Sequence, residues 1–262
     1  MNKYIFFIYS RIKVRTAYWS RYLISIFSAY IEMIAILCIW FAVFKNSNQN
    51  IGGYSIDEMM MYLILSFSLL MIIRQGVSNT VSKDVSSGDI AIYFIKPISY
   101  INKLIFESIG DMLFNFTYLI PALLFSIIYF NVIDFSLKRT IFFLISIALG
   151  SIIYFLLDFM VGLFAFFVNY IWGLLLIKDA IFRFVSGELF PLSFLPKSIE
   201  TIFSYLPFNY LTYKPILIIF NKVSEKEMLN IIVLQIIWII ILSLIAKYIW
   251  SRANKRLSIN GG

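Results

Sequence analysis

Apolar residues along this chain gather into long runs separated by short polar stretches. That is the pattern of helices crossing a lipid bilayer, not of a soluble core. The runs predict six spans, at about residues 23–44, 59–81, 112–132, 140–168, 174–190 and 228–249. At about 1.5 Å per residue the first, Leu23–Phe44, covers about 33 Å, enough to cross the hydrocarbon region. Ahead of it, residues 1–22 place Ile5, Ile8 and Ile12 at helical spacing among Lys3, Arg11, Lys13, Arg15 and Arg21. An amphipathic helix on the membrane surface is expected there. A signal peptide is the competing reading, but the run that follows is too long and no small-residue cleavage site succeeds it. Residues 191–226 are cut by Pro191, Pro196, Pro207 and Pro215 into pieces too short to span. An outer re-entrant helical hairpin fits that segment. The expected fold is therefore an all-α integral membrane protein of one transmembrane domain, residues 1–262, with six spans.

Composition supports the class. Of the 262 residues, 61% are hydrophobic and 14% charged, against about 45–50% and about 25% in soluble domains. The net charge of +8 sits at the flanks of the apolar runs, where it sets topology and meets anionic headgroups, so membrane lipid and not nucleic acid is the expected partner. Residues 1–22, 74–104 and 247–262 hold 13 of the 22 Lys and Arg, which makes these the cytoplasmic segments and puts both termini inside. The single cysteine, Cys38, excludes an internal disulfide, and the absence of histidine removes His-based catalysis and His metal sites. No cofactor is expected.

Charges inside the runs are the candidate chemistry. Glu32 in span one and Asp158 in span four are costly against lipid, so each either makes a hydrogen bond within the bundle or lines a polar path. Arg74 lies close enough to the inner face to snorkel. Span five carries Lys178, Asp179, Arg183 and Glu188, with Asp179 and Arg183 at a spacing that allows pairing on one helix face. Ser146 and Gly150 form a small-xxx-small pair that permits close helix approach.

The longest polar interruption between two spans is Val81–Lys103, and it has two readings: a plain connector, or a docking element for a cytoplasmic partner. Gly88 permits a tight turn, Asp89 can cap a following helix, Ile90, Ile92, Tyr93, Phe94 and Ile95 give that helix an apolar aromatic side, and Lys96-Pro97 ends it. Ser86–Tyr100, SSGDIAIYFIKPISY, resembles the cytoplasmic Gly-Asp-Leu/Ile…Leu-Leu-Lys-Pro-Ile signature of small ABC-2 type permeases, the group that includes viologen-exporter-like and related drug or peptide exporters. Ser186–Pro196, SGELFPLSFLP, followed by Leu206–Pro215, LPFNYLTYKP, is similar to that family's outer segment. The chain departs from the family at Phe94-Ile95, where two leucines are more usual.

The resemblance implies a permease subunit of an ATP-driven exporter in a bacterial cytoplasmic membrane. It implies a pair of permeases, identical or related, above a separate dimer of ATPase subunits. The loop at residues 82–104 would then hold the coupling helix, with Gly88, Asp89, Ile90, Tyr93, Phe94, Lys96 and Pro97 as its contact residues and Glu32 and Asp158 on the possible pathway. The chain has no GxxxxGK[ST] phosphate loop, so a partner must supply ATP hydrolysis. Two other functions compete: a membrane-embedded lipid-modifying enzyme, and an ATP-independent transporter coupled through intramembrane acids.

Overall fold

A computed structural model describes residues 4–47, 50–129, 136–168 and 170–260. Among them the chain is helical, with no strand beyond a bridge between Ile51 and Tyr54. Helix α1 is Ile5–Ala17, α2 Trp19–Ser47, α3 Ile56–Ile73, α4 Val77–Ser86 and α5 Ile92–Ile95. Then follow α6 Tyr100–Tyr129, α7 Leu137–Leu163, α8 Trp172–Ser186, α9 Lys197–Ser204, α10 Tyr213–Ile219 and α11 Glu225–Asn260.

Of the long helices, α3, α7 and α11 run one way between two ends, and α2 and α6 the other. At one end, Lys222 meets Glu58 at 3.1 Å and Lys138 meets Glu225 at 2.6 Å. At the other, Arg11 and Arg15 of α1 both reach Asp111 of α6 at 2.9 Å, and Trp250 of α11 stacks on Tyr100. Among the described residues, four stretches are long and apolar enough to cross a membrane: Tyr22–Lys45, Ile56–Ser86, Leu137–Phe166 and Glu225–Lys255. Helix α8 has 15 residues, about 22 Å, too short to cross alone. The expected third span falls on α6, whose side chains from 118 onward lie outside the described residues, as do residues 130–135, Asn48 and Asn169.

Helix α3 is the central post. A capping box starts it: Ser55 Oγ accepts from the Glu58 amide, and the Glu58 carboxylate accepts from the Ser55 amide. Every residue from Met59 to Ile73 except Met71 is buried. This post is not continuous with α4, although the apolar run suggested one span to residue 81. Arg74 is extended and Gly76 is left-handed, φ 68°, so the pass breaks at Arg74-Gln75-Gly76 and resumes as α4.

The proline-cut segment packs between helices. The turn Pro207–Tyr210 meets Gly150, with the Tyr210 carbonyl 3.0 Å from where a Cβ would stand. Gly150 is 13 residues into α7, about 20 Å. Helix α10 then returns toward the start of α7, where Arg139 donates to the carbonyls of Ile218 and Val223, both at 3.1 Å. The close approach foreseen for Ser146 and Gly150 is thus used by this turn and by α11, whose Gln235 bonds Ser146 and the Tyr210 carbonyl.

A second close approach is testable. A Cβ on Gly162 of α7 would lie 2.9 Å from the Ser78 Cα and 3.0 Å from the Val81 Cβ. Gly162→Val should push α4 off α7 and cost about 1–3 kcal/mol, read as a lower midpoint of thermal unfolding in detergent. Gly173→Ala, in open space, should leave that midpoint in place.

Candidate functional site: a loop at one end and an ion cluster at depth

The loop folds back on its own bundle. Gly88, at φ 77°, makes the turn, as a residue without a Cβ can. Asp89 does not cap the next helix: it lies inside the Asp89–Ala91 turn, where its carboxylate accepts from Ser87 Oγ at 2.7 Å. Ile90 is fully buried in the chain's own core, and Tyr93 is half-buried against Tyr100, with ring centres 5.2 Å apart. These two side chains root the element inward and are not its exposed face. That face is Ala91, Ile92, Ile95, Lys96 and Pro97, with Ile95 87% exposed. The side chain of Phe94 lies outside the described residues.

Polar bonds hold the root. Asp84 accepts from the Tyr100 hydroxyl at 2.9 Å and from Lys103 Nζ at 3.1 Å. Burial pushes the Tyr100 phenol up, and Asp84 adds to this, so it stays neutral. For Lys103 burial acts downward, but Glu107 and Asp84 more than offset it and its pKa lies above the ordinary lysine value. Trp250 closes the assembly from α11, touching the rings of Tyr100, Phe159 and Phe166.

At membrane depth the structure collects the intramembrane charges around the break in the second pass. Asp158 is fully buried; one oxygen accepts from Lys178 Nζ at 2.7 Å and the other from the Ser78 amide at 3.1 Å. It therefore caps α4, whose first amides the break leaves without helical partners. Lys178 also donates to Ser78 Oγ at 3.1 Å and lies 2.9 Å from Asp179, whose other oxygen pairs with Arg74. Asn115 of α6 donates to the carbonyls of Met71 and Arg74, at 3.0 and 3.3 Å. Arg74 thus turns inward to Asp179 and does not snorkel. Arg183 pairs with Glu188 at 2.8 Å and with Glu32. The expected Asp179–Arg183 pair does not form: Asp179 lies between Arg74 and Lys178, and Arg183 between Glu188 and Glu32. Arg183 also lies over the Phe67 ring, 5.6 Å from its centre.

The two acids expected on a path are therefore separated. Asp158 is closed within the bundle. Glu32, its side chain 46% exposed, borders a cleft of about 330 Å³ lined by Arg15, Ser25, Ser28, Glu32, Arg74 and Asn115. Ser25 and Ser28 were missed in the sequence, although Ser25 stands 3 residues before Ser28 and 7 before Glu32, which puts all three on one stripe of α2. The cleft runs between α2 and α6, with α3 as its floor and α1 at one end.

The family model described as ABC-2 family transporter protein matches residues 30–261. No curated protein matches the chain.

The cluster makes a double-variant prediction. Lys178→Met leaves Asp158 buried without its cation and should destabilise the protein by about 3–5 kcal/mol. Adding Asp158→Asn should restore much of that loss, since the amide keeps the oxygen that caps α4. Thermal unfolding of the purified single and double variants checks this; equal damage from both would break the assigned pairing.

Proposed function

The chain belongs to the ABC-2 family of transporter proteins, and from that membership we propose that it is the permease subunit of an ATP-driven exporter. In this reading it crosses a bacterial cytoplasmic membrane six times, with both termini cytoplasmic and residues 191–226 dipping back from the outer face. Two permeases form the pathway, and a separate pair of ATPase subunits docks below. The permease has no catalytic site of its own.

The observation that carries the reading is the element from Gly88 to Pro97. A solvated connector has no need of a root, yet this one is anchored by Ile90, Tyr93 and the Asp84–Tyr100–Lys103 bonds. It still leaves Ile92 and Ile95 exposed. It lies at the same end as the basic helix α1, and α4 ties it directly to the broken pass and the ion cluster. A push on this element would enter the bundle through α4. A lipid-modifying enzyme would need free carboxylates at depth, and Asp158, Asp179, Glu188 and Glu32 are all engaged in ion pairs.

Co-expression with ATP-binding cassette subunits from the same genome tests this. The wild-type chain should co-purify with one of them. Ile92→Ala combined with Ile95→Ala should weaken association roughly thirtyfold, as losing about 2 kcal/mol of buried anchor implies. Normal binding and export by that variant would make the loop a mere connector. Topology is checked by Lys96→Cys in a Cys38→Ser background, which should be labelled only from the cytoplasmic side.

A further inference from the structure

The cleft beside α2 points to the kind of cargo, an inference that rests on the exporter reading. Ser25, Ser28 and Glu32 lie within the membrane-crossing stretch Tyr22–Lys45. Arg15, on the basic helix α1, stands at the cleft's interfacial end. From Trp19, where α2 begins, to Glu32 is 13 residues, about 20 Å, so the polar lining reaches the middle of the bilayer. Arg15, Arg74 and Glu32 each spend part of the side chain on a protein partner. They still keep 42%, 35% and 46% of it exposed. Hydrocarbon cannot solvate such groups, so something polar must occupy the cleft.

A small soluble cargo would account for the polar lining alone. The cleft, however, opens directly beside a lipid-facing side of the same helix. There Ile24, Phe27, Ile31 and Ile34 are 68%, 67%, 66% and 54% exposed, an open apolar track running alongside the polar stripe. The two together match a molecule with a polar head and a hydrocarbon tail. The lining also has both signs, guanidinium groups of Arg15 and Arg74 and the carboxylate of Glu32, which suits a head carrying both a phosphate and an amine. We infer that the cleft is the inner half of a track for the zwitterionic head of an amphipath. The head moves past Arg15, Ser25 and Ser28 toward Glu32, while the acyl tail stays in the bilayer against Ile24, Phe27 and Ile31.

The test is protection of a thiol in the track. Full-length protein carrying Ser28→Cys and Cys38→Ser is purified in maltoside detergent and labelled with a charged maleimide. Three probes are compared: dihexanoyl phosphatidylethanolamine, phosphoethanolamine as the head alone, and dihexanoylglycerol as the tail alone. The complete lipid should slow labelling saturably, about tenfold when present at about nine times its dissociation constant, and the two fragments less than about twofold. Phe27→Ala should raise that dissociation constant about tenfold, and labelling at Ala42→Cys, near the far end of α2, should not respond. If Ser28→Cys is not monodisperse, Ser25→Cys supports the same comparison. Equal protection by the head alone would mean a site for soluble solutes, and equal protection by the tail alone a greasy groove. No protection by any probe would mean a cleft filled only with water. Each of these overturns the inference. No ATPase is present, so each leaves the exporter reading standing, and failure to bind an ATPase would not alter the protection.

Discussion

Backbone carbonyls that lose their helical partners inside an apolar bundle have no water to turn to, and this requirement organises the molecule. Helix α8 ends within the protein, and four successive carbonyls there are each met by a side chain. Ser186 accepts from Thr212 at 2.7 Å, Gly187 from the Tyr62 hydroxyl, Glu188 from Ser66 at 2.8 Å and Leu189 from Trp40 Nε1 at 2.9 Å. Those donors come from α2, from α3 and from the segment ahead of α10, so one helix end fixes three elements. The break at Arg74–Gly76 repeats the solution with Asn115 on the carbonyl side and Asp158 on the amide side.

The ion cluster follows from the same shortage of water. Taking an ion from water to a dry interior costs several kcal/mol even after relaxation, so the cations of Arg74, Lys178 and Arg183 are placed among carboxylates of α2, α7, α8 and the turn after α8. The arrangement fastens the start of α4 to α7 and α8. Through the Gly88 turn, α4 also carries the exposed element at Ile92–Ile95, so that element hangs on the part of the chain that is held to α7 and α8.

Much of this was legible in the chain. Run lengths indicated a membrane protein, proline spacing marked the segment that cannot span, and Gly88 stands where a left-handed turn is required. The partners were not legible. Spacing along a helix reports only neighbours on that helix, so it suggested Asp179 with Arg183, whereas both are claimed by groups distant in sequence. The break in the second pass was overlooked because a span drawn to Val81 on length runs across Arg74-Gln75-Gly76, although seven of the ten residues of α4 beyond it are polar or charged. Ile90 and Tyr93 looked available because nothing in the loop reveals that the body of the protein already covers them.

The charges of α8 also bear on biosynthesis. Lys178, Asp179 and Arg183 within one 15-residue helix would together oppose its transfer into lipid by roughly 8–10 kcal/mol, if each were presented to the translocon alone. Each has a partner that precedes it in the chain, Asp158 for Lys178, Arg74 for Asp179 and Glu32 for Arg183, and these leave the ribosome first, although Glu188, also paired with Arg183, follows. If α8 is inserted as a span, as the six-pass proposal has it, the earlier helices would have to stay together beside the insertion site until α8 arrives, and α8 would enter the membrane as a guest of an assembly already formed. Loss of Asp158 or Glu32 would then show itself first as a failure of insertion, before any folded protein exists to be unstable.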